Sequence, residues 1–412
     1  MRELMSVFKK TFIVISLMVV SVSVWAKLQP INDEQMSNIT GQAYISIDQQ
    51  FNPNPGQKVS YTRINYGLNI DTQLNINKVV LGQYARAGTK HNADINIDNL
   101  SLGHIYESSY YANNPSMPKP VKADGSSYVN GEIVPFQIQN PYVEFAKDEV
   151  TNSIIGMRIG FGGAEGILSG NIRSLTGNVN VHIVDHGTGL KNASSATGNF
   201  FDKTVLLLAP LLTASSPISA KAALVKGTTD ASGKYIAGSG ALSPIRADHI
   251  GMPDGSKFTI SNVNGLTTSA LKALGFALSS NVVVNAKCFL VFCGGGSVDI
   301  IPKDCYMMGV ATCFPLTNFK SLPVGKVSKD SSGNNRKLTG MARGMFISFQ
   351  TKNVQWLKNI AKKNPTAADY ITATKGAFFN IPNGDLEVNL NQALKGIPRV
   401  RTEYIDRGKG LF

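Results

Sequence analysis

The sequence predicts a mainly β protein, a large antiparallel β-sandwich or rolled sheet with a few short helices; a short β-solenoid is the alternative. Apolar and polar residues alternate at period two in several strand-length runs: Val134 to Ile138, Tyr142 to Phe145, Gly177 to Ile183 and Gly344 to Phe349. Each run is bounded by Gly, Asn or Pro, which end strands and build turns. Charged residues are scarce, at 16% of the chain, while Gly, Asn, Ser and Thr are plentiful. That balance suits an exported β-rich protein better than a helical cytosolic one.

Met1 to Lys10 carries Arg2, Lys9 and Lys10, Thr11 to Val24 is uncharged and mostly apolar, and Val24-Trp25-Ala26 places small residues at the −3 and −1 positions of a cleavage site. This is the pattern of a secretory signal peptide over residues 1–26. Its apolar run falls short of the roughly 20 residues of a bilayer span, so a membrane anchor is the weaker reading. No Cys follows Ala26, as a lipoprotein would need, and Thr11 and Ser16 stand where a prepilin would carry Gly and Glu.

The expected organisation is a β-rich domain over 27–200, an apolar Ala/Ser/Leu-rich connecting segment over 201–250, and a second β-rich domain over 251–412. Within the first, Leu74 to Gly82 aligns with Ile95 to Gly103 at an interval of 21. In the second copy the alternation slips by one between Ile97 and Leu100, which requires a bulge or corner. Two good copies fall short of a solenoid, and paired strands of a meander explain them as well. Weaker echoes lie at Ile172 to Leu175 and Ile260 to Val263. Phe201 to Gly227, with Pro210 and Pro217, reads as one or two short buried helices or an apolar flap. Ser269 to Leu278 and Asn353 to Lys363 read as helices, the latter with Val354, Leu357 and Ile360 on one side. Ser328 to Asn335 reads as an exposed loop or hairpin tip. Phe412 invites comparison with an outer-membrane barrel, but Gly410, Gly408 and Asp406 break the lipid-facing series a closing strand requires.

The formal net charge is +13, and loss of residues 1–26 leaves +11. Sixteen Lys or Arg against six Asp or Glu fall between Lys320 and Phe412. That concentration points to an anionic partner, such as an acidic protein, a surface polysaccharide or lipid head groups, or else to a solvated face that keeps the protein soluble. Nucleic acid is not expected, because no nucleic-acid motif accompanies the charge. Arg343, Lys358, Lys362, Lys363, Arg399, Arg401 and Arg407 are the candidate binding residues in this quarter. Tyr106, Tyr110 and Tyr111 could join them by stacking on sugar rings, although an ordered aromatic loop is the preferred reading. The four cysteines, Cys288, Cys293, Cys305 and Cys313, read as disulfides in an exported chain. Cys288–Cys293 and Cys305–Cys313 are favoured because each closes a small loop; the spacing lacks the paired C-x-x-C knuckles usual in a zinc site.

Catalytic patterns fail on inspection. Gly160 to Gly166 resembles a phosphate loop, but the residues after it read as strand rather than helix, so bulges and turns explain the glycines better. Gly166 to Gly170 has its Ser one place too late for a nucleophile elbow. His182, Asp185 and His186, with Asp248-His249, form the best titratable set. On an extended strand His182 and His186 would stand about 13 Å apart, too far to share a metal. A metal-dependent hydrolase is therefore a distant reading, and no catalytic residue, metal or cofactor is expected.

Several segments resemble a known family. Leu28 to Ala43 is similar to an "LQPL-D-E-L-S-x-V-T-G-Q" opening, Ile138 to Ala146, Ile155 to Gly160 and Gly166 to Gly170 to an "ITNPFVEFA … VGVRLG … GLLS" region, and Arg343 to Gln350 and Val400 to Tyr404 to C-terminal blocks of the FilA-like pilus-system proteins. The matches are collinear over most of the mature chain. Family members carry cysteines soon after the first strands, and this chain has none there. The resemblance implies an exported, non-enzymatic component of a pilus or fimbria system, acting in assembly or adhesion at the periplasm or outer surface of a Gram-negative bacterium. Its partners would be other envelope or pilus-system proteins, with a binding protein for an anionic polysaccharide or lipid head group as the alternative.

Overall fold

The computed structural model describes residues 45–403 except 55, 195, 291, 330–335, 383 and 385. The expected signal peptide, the segment Leu28 to Ala43, the 330–335 tip, Arg407 and Phe412 lie outside the described residues. The described chain is mainly β, with two large open sheets, several two-stranded ribbons and short helices.

Along the chain, β1 (Ile45–Phe51), β2 (Val59–Tyr66), β3 (Asn69–Thr72), β4 (Leu74–Gln83) and β5 (Ala93–Leu102) precede a short helix α1 (Ser108–Asn113). Two long strands follow, β6 (Phe136–Asp148) and β7 (Ser153–Leu175), and then β8 (Gly177–Val179) and β9 (Val181–His186). Helix α2 (Phe200–Leu212) leads to β10 (Pro217–Val225), β11 (His249–Gly251) and β12 (Phe258–Val263). Helix α3 (Gly265–Leu274), β13 (Asn281–Asn285), the hairpin β14 (Cys288–Phe289) and β15 (Phe292–Cys293), β16 (Gly296–Ile301) and β17 (Cys313–Pro315) come next. The last part holds β18 (Ser321–Val324), β19 (Phe346–Gln350), β20 (Val354–Leu357), β21 (Tyr370–Ala373), β22 (Gly376–Ile381), β23 (Glu387–Val388) and helix α4 (Leu390–Lys395).

The first sheet runs β1-β2-β6-β7-β19-β22-β8, with β3 on β6, β18 and β5 on β7, and β4 on β5. The second runs β13-β16-β12-β10-β9-β23, with β11 joining β10 to β17. The chain crosses between them at Asn180, between β8 and β9. Strands on both sides of the expected 200 and 250 boundaries share one sheet, since β18 and β19 pair with β7. They also share one core, in which Ile95 and Leu168 belong to the same cluster as Phe258 and Leu386.

The 21-residue repeat is a strand pair: Leu74 faces Leu102, Val79 faces Ile97 and Leu81 faces Ile95 across β4 and β5. The slip sits at Asn99, whose φ is 52°, and the register against β7 shifts there. Asn262 does the same in β12, with φ 55° and a shift between Ile260 and Val263. Asn tolerates this left-handed geometry, which lets a strand turn its inward face within two residues.

The glycine-rich stretch 160–166 lies inside β7, where side chains from β6 leave no room. A Cβ on Gly160 would meet the Tyr142 hydroxyl at 2.4 Å, and Gly166, at φ 139°, lies against the Phe136 ring. Close approach inside a sheet accounts for these glycines without a phosphate.

Two elements depart from the helical expectations. Asn353 to Lys363 holds strand β20 rather than a helix, because Val354 and Trp356 alternate inward and pair with Ala373 and Ile371 of β21. Trp356 is fully buried in a second core with Tyr61, Phe346 and Phe378. The apolar segment at 201–227 does begin as a helix, α2, but the helix is not buried: Phe200, Leu207 and Leu211 are 76%, 79% and 79% exposed. Its second part is strand β10, within the second sheet. Ser269 to Leu278 matches α3 and the 3-10 turn after it; the helix starts earlier because the Asn264 side chain accepts from Thr267 N and caps it. The strands Lys326–Ser328 and Lys337–Gly340 pair on either side of the polar stretch expected to be a hairpin tip.

Candidate functional site

An apolar hollow lies in a cleft between the two sheets. Alternation along β7 creates it. Arg158 and Gly160 face the second core, so Ile159 and Phe161 must face the other way. Antiparallel pairing then lines up residues of like character on neighbouring strands. Ile47 of β1 pairs with Ile64 of β2, Ile64 with Val143 of β6, Val143 with Ile159, Ile159 with Ile347 of β19, and Ile347 with Phe379 of β22. Directly paired residues put their side chains on one face, so these six form an unbroken apolar row. Ile47 and Ile159 are 66% and 44% exposed, Ile64, Val143 and Ile347 are partly buried, and Phe379 at the inner end is 8% exposed.

The inner end of the row opens into an apolar cavity of about 260 Å³. Leu81, Ile97, Leu168 and Ile172 of the first sheet form one wall, and Ile183, Ala222, Ile250 and Phe314 of the second form the other. Leu390 and Leu394 of α4 close one side. The helix is held there by a capping box in which the Asn389 side chain accepts from Gln392 N. Asp185 accepts from Leu390 N at 2.9 Å and adds a carboxylate at the same helix start. Thr312 supplies the only polar side chain among the described lining residues.

The tyrosines, read as an ordered aromatic loop with a sugar platform as the alternative, come together and pack inward. Tyr106 stacks on Tyr111 at 5.2 Å between centroids, and Tyr110 meets Tyr111 edge-on at 5.4 Å. Tyr111 is 2% exposed and hydrogen-bonds His104 Nε2 at 2.8 Å. Burial pushes the Tyr110 and Tyr111 hydroxyls up and His104 down to about 4. The Tyr110 hydroxyl donates to Pro398 O at 2.9 Å, joining this cluster to the segment that bears Arg399 and Arg401. There Arg399 donates to Ser101 Oγ at 2.8 Å and Arg401 pairs with Glu107 at 3.1 Å. The lysines lie elsewhere. Lys358 donates to Ala368 O at 2.8 Å, and Lys362 pairs with Asp369 at 2.6 Å beside the β20–β21 hairpin, with Lys363 exposed on the same turn. Arg343 precedes Gly344, whose backbone lies against Lys358 O. The candidate basic residues are thus divided between these two regions. Arg173, Lys320 and Lys395 line a separate surface hollow, with Arg173 paired to Asp98 at 2.9 Å. Lys320 and Lys395 belong to the basic quarter, but Arg173 reaches the hollow from β7, far away in the chain, so the grouping was not legible from the sequence.

His182 faces Ser219 Oγ at 3.4 Å, and Asp185 accepts from the backbone of His186 and Leu390. Asp248 binds His249 Nδ1 at 2.7 Å, His91 Nε2 at 3.0 Å and Lys90 Nζ at 3.1 Å. Burial would raise the Asp248 carboxyl, but those three hydrogen bonds outweigh it and hold it well below the usual carboxylate range. Among the described residues the His182 and His249 groups share no hydrogen-bond partner. Among the described residues no three His, Cys, Asp or Glu side chains are placed to hold a metal ion. His91 was not legible as a partner of Asp248, because 157 residues separate them.

The cysteines pair as the loop lengths favoured, Cys288 with Cys293 and Cys305 with Cys313. Cys305 and Cys313 are fully buried, whereas Cys288 is exposed. Such bonds are consistent with an exported protein. Among the described residues no helix is long and apolar enough to cross a membrane.

Residues 5–105 match a protein family described as a family of unknown function, DUF6160. The match runs through β5 and so takes in the outer end of the apolar row and, with Leu81 and Ile97, part of one wall of the cleft. No curated protein and no solved structure matches the chain.

Proposed function

We propose that this chain is a non-enzymatic protein of the cell envelope, in the periplasm or at the outer surface of a Gram-negative bacterium, that holds the acyl chain of a lipid or lipid-modified partner in the cleft between its sheets. The supporting observation is the cavity of about 260 Å³ whose lining is apolar apart from Thr312 and continues into a half-exposed apolar row. An ordinary core accounts for it poorly. At ~24 cal/mol per Å³, empty space of this size costs roughly 6 kcal/mol, comparable to the whole stability of a domain. It is also larger than the ~150 Å³ engineered cavity that stays dry and accepts benzene. A bound apolar chain removes that cost, and the open row gives a long ligand a way out to solvent. Organic extraction of the protein purified from its native envelope, read by mass spectrometry, tests the reading together with binding of a fluorescent fatty acid. Co-purifying acyl lipid displaced by the fatty acid supports it. An empty protein that binds no fatty acid overturns it.

A second reading, a component of a pilus or fimbria system, is favoured by the edge strand β1. That strand pairs only with β2 among the described residues and exposes Ile45, Ile47 and Phe51 at 53%, 66% and 70%. An apolar free edge accepts a strand from a partner. Recovery of pilus subunits from the envelope by the intact protein, lost on Ile47→Lys, supports this reading; equal recovery by the variant removes it.

A further inference from the structure

The exposed apolar surface of α2 continues into neighbouring elements. Phe200, Leu207 and Leu211 form an outward stripe, while Val205, Leu206 and Ala209 hold the other side of the helix to the core. The Asn199 side chain donates to Ala277 O at 2.8 Å, and Ser279 N donates to Asp202 at 3.0 Å, fixing the start of α2 beside the turn that follows α3. That turn carries Phe276, 91% exposed, and α3 itself carries Leu266, 78% exposed. The start of α3 is fixed in turn to the β14–β15 hairpin. Cys293 N donates to Ser269 Oγ at 2.7 Å, and Thr268 Oγ1 donates to Gly294 O at 2.8 Å. Phe289, Leu290 and Phe292 of this hairpin are 79%, 77% and 73% exposed. With Phe201, Leu208 and Leu212 of α2, which are also exposed, the linked elements expose eleven large apolar residues; single ones need no explanation, but such a group does.

The charge on this ledge has one sign. No Asp or Glu occurs between Ser256 and Val298, and Asp202, which caps α2, is the only one between His186 and Thr229 and is fully buried. Lys203, Lys272 and Lys287 are exposed on α2, on α3 and beside the hairpin. A second copy of the chain is a poor occupant, because a two-fold contact would set lysines against lysines. An acidic, apolar, fluid surface fits both features. We propose that α2, α3 and the Cys288–Cys293 hairpin dock the protein onto an anionic lipid bilayer, the phenyl and leucyl side chains entering the acyl boundary and the lysines meeting head groups.

The hairpin suits that task. Cys288 pairs with Cys293 and Phe289 with Phe292, and the disulfide closes the loop, so the phenyl groups project from backbone that is already paired. This surface is separate from the cleft and stands whether or not the cleft holds a ligand.

Flotation of the chain from Lys27 onward with vesicles of phosphatidylethanolamine and phosphatidylglycerol, and with vesicles of phosphatidylcholine alone, tests the proposal. Preferential flotation with the anionic vesicles, weakened by salt, is expected. Phe289→Ser/Phe292→Ser should partition roughly tenfold or more weakly. Leu207→Ser/Leu211→Ser should show the same loss, and both variants should keep the unfolding midpoint of the parent because the replaced side chains touch solvent. Absence of flotation, equal flotation of the folded variants, or a stable dimer abolished by the same substitutions overturns it. Fatty-acid binding by a protein that ignores vesicles would sink the docking surface and leave the cleft intact.

Discussion

Filling the cleft from one of its walls separates a ligand cavity from a solid core by the sign of a stability change. Ala222 on β10 is 7% exposed, faces Val181 of β9 in register and lines the cavity. Ala222→Leu adds three carbon atoms. At ~0.8 kcal/mol per buried methylene, the ligand-free protein should gain about 2 kcal/mol. In a filled core the same change would force neighbours off their rotamers and cost about 1–3 kcal/mol. The added side chain also takes space from the ligand, so an acyl probe should bind more weakly by about 2 kcal/mol, or ~30-fold. Urea denaturation of delipidated protein reads the first quantity. Trp356, fully buried and the only tryptophan after residue 26, reports global unfolding. Titration with a fluorescent fatty acid reads the second. Destabilisation by more than about 1 kcal/mol with unchanged probe affinity would refute the cavity argument.

Two further predictions concern buried polar groups. Asp94 is fully buried and accepts from Arg246 Nε at 2.9 Å, Arg86 at 3.2 Å and Ala377 N at 3.0 Å, while Arg246 also donates to the carbonyls of Gly82, Tyr84 and His91. Asp94→Asn leaves Arg246 buried without its counter-ion and should cost about 3–5 kcal/mol in urea; a loss under about 1 kcal/mol would show that the network does not hold β4, β5 and β22 together. His104, held neutral by burial at a value of about 4, takes up a proton more readily when unfolded, where it titrates near ~6.5. Between those values the unfolded state binds more protons, so stability is full above the unfolded value and falls by roughly 3 kcal/mol as the pH drops from 7 to 4. Subtracting the profile of His104→Gln should isolate that slope; identical profiles would refute it.

Local chemistry was the legible part of the fold. Period-two runs became strands, the slip after Ile97 became a left-handed Asn99, and short cysteine spacings became the observed pairs. Asn353 to Lys363 misled because Val354, Leu357 and Ile360 also satisfy a helical spacing. Burial of Trp356 against Tyr61 and Phe378, which lie far away in the chain, decides for a strand. Arg158 shows the same limit. It is fully buried among the rings of Tyr142, Phe346 and Trp356, which lie 4.9–5.2 Å from its guanidinium, with Glu144 as its counter-ion, and none of these partners is near it in the chain except Tyr142 and Glu144.

The cleft lay beyond sequence reasoning for a related cause. Each member of its apolar row sits in an ordinary alternating strand, and nothing near Ile159 announces that Val143 and Ile347 will flank it. The row exists only once the chain order β1-β2-β6-β7-β19-β22 is set, joining Ile47 to Phe379 through five registers. A slip of one residue in any of these pairings would turn one side of the row to the other face. The row is therefore a property of the topology, and so is any ligand it admits. The docking ledge differs, because part of its apolar surface falls in short runs of the sequence, within Phe201 to Gly227 and at Phe289 to Phe292. Their exposure was the missing fact. A sequence shows that such a run is apolar, and only the placement of its neighbours shows whether the protein itself covers it.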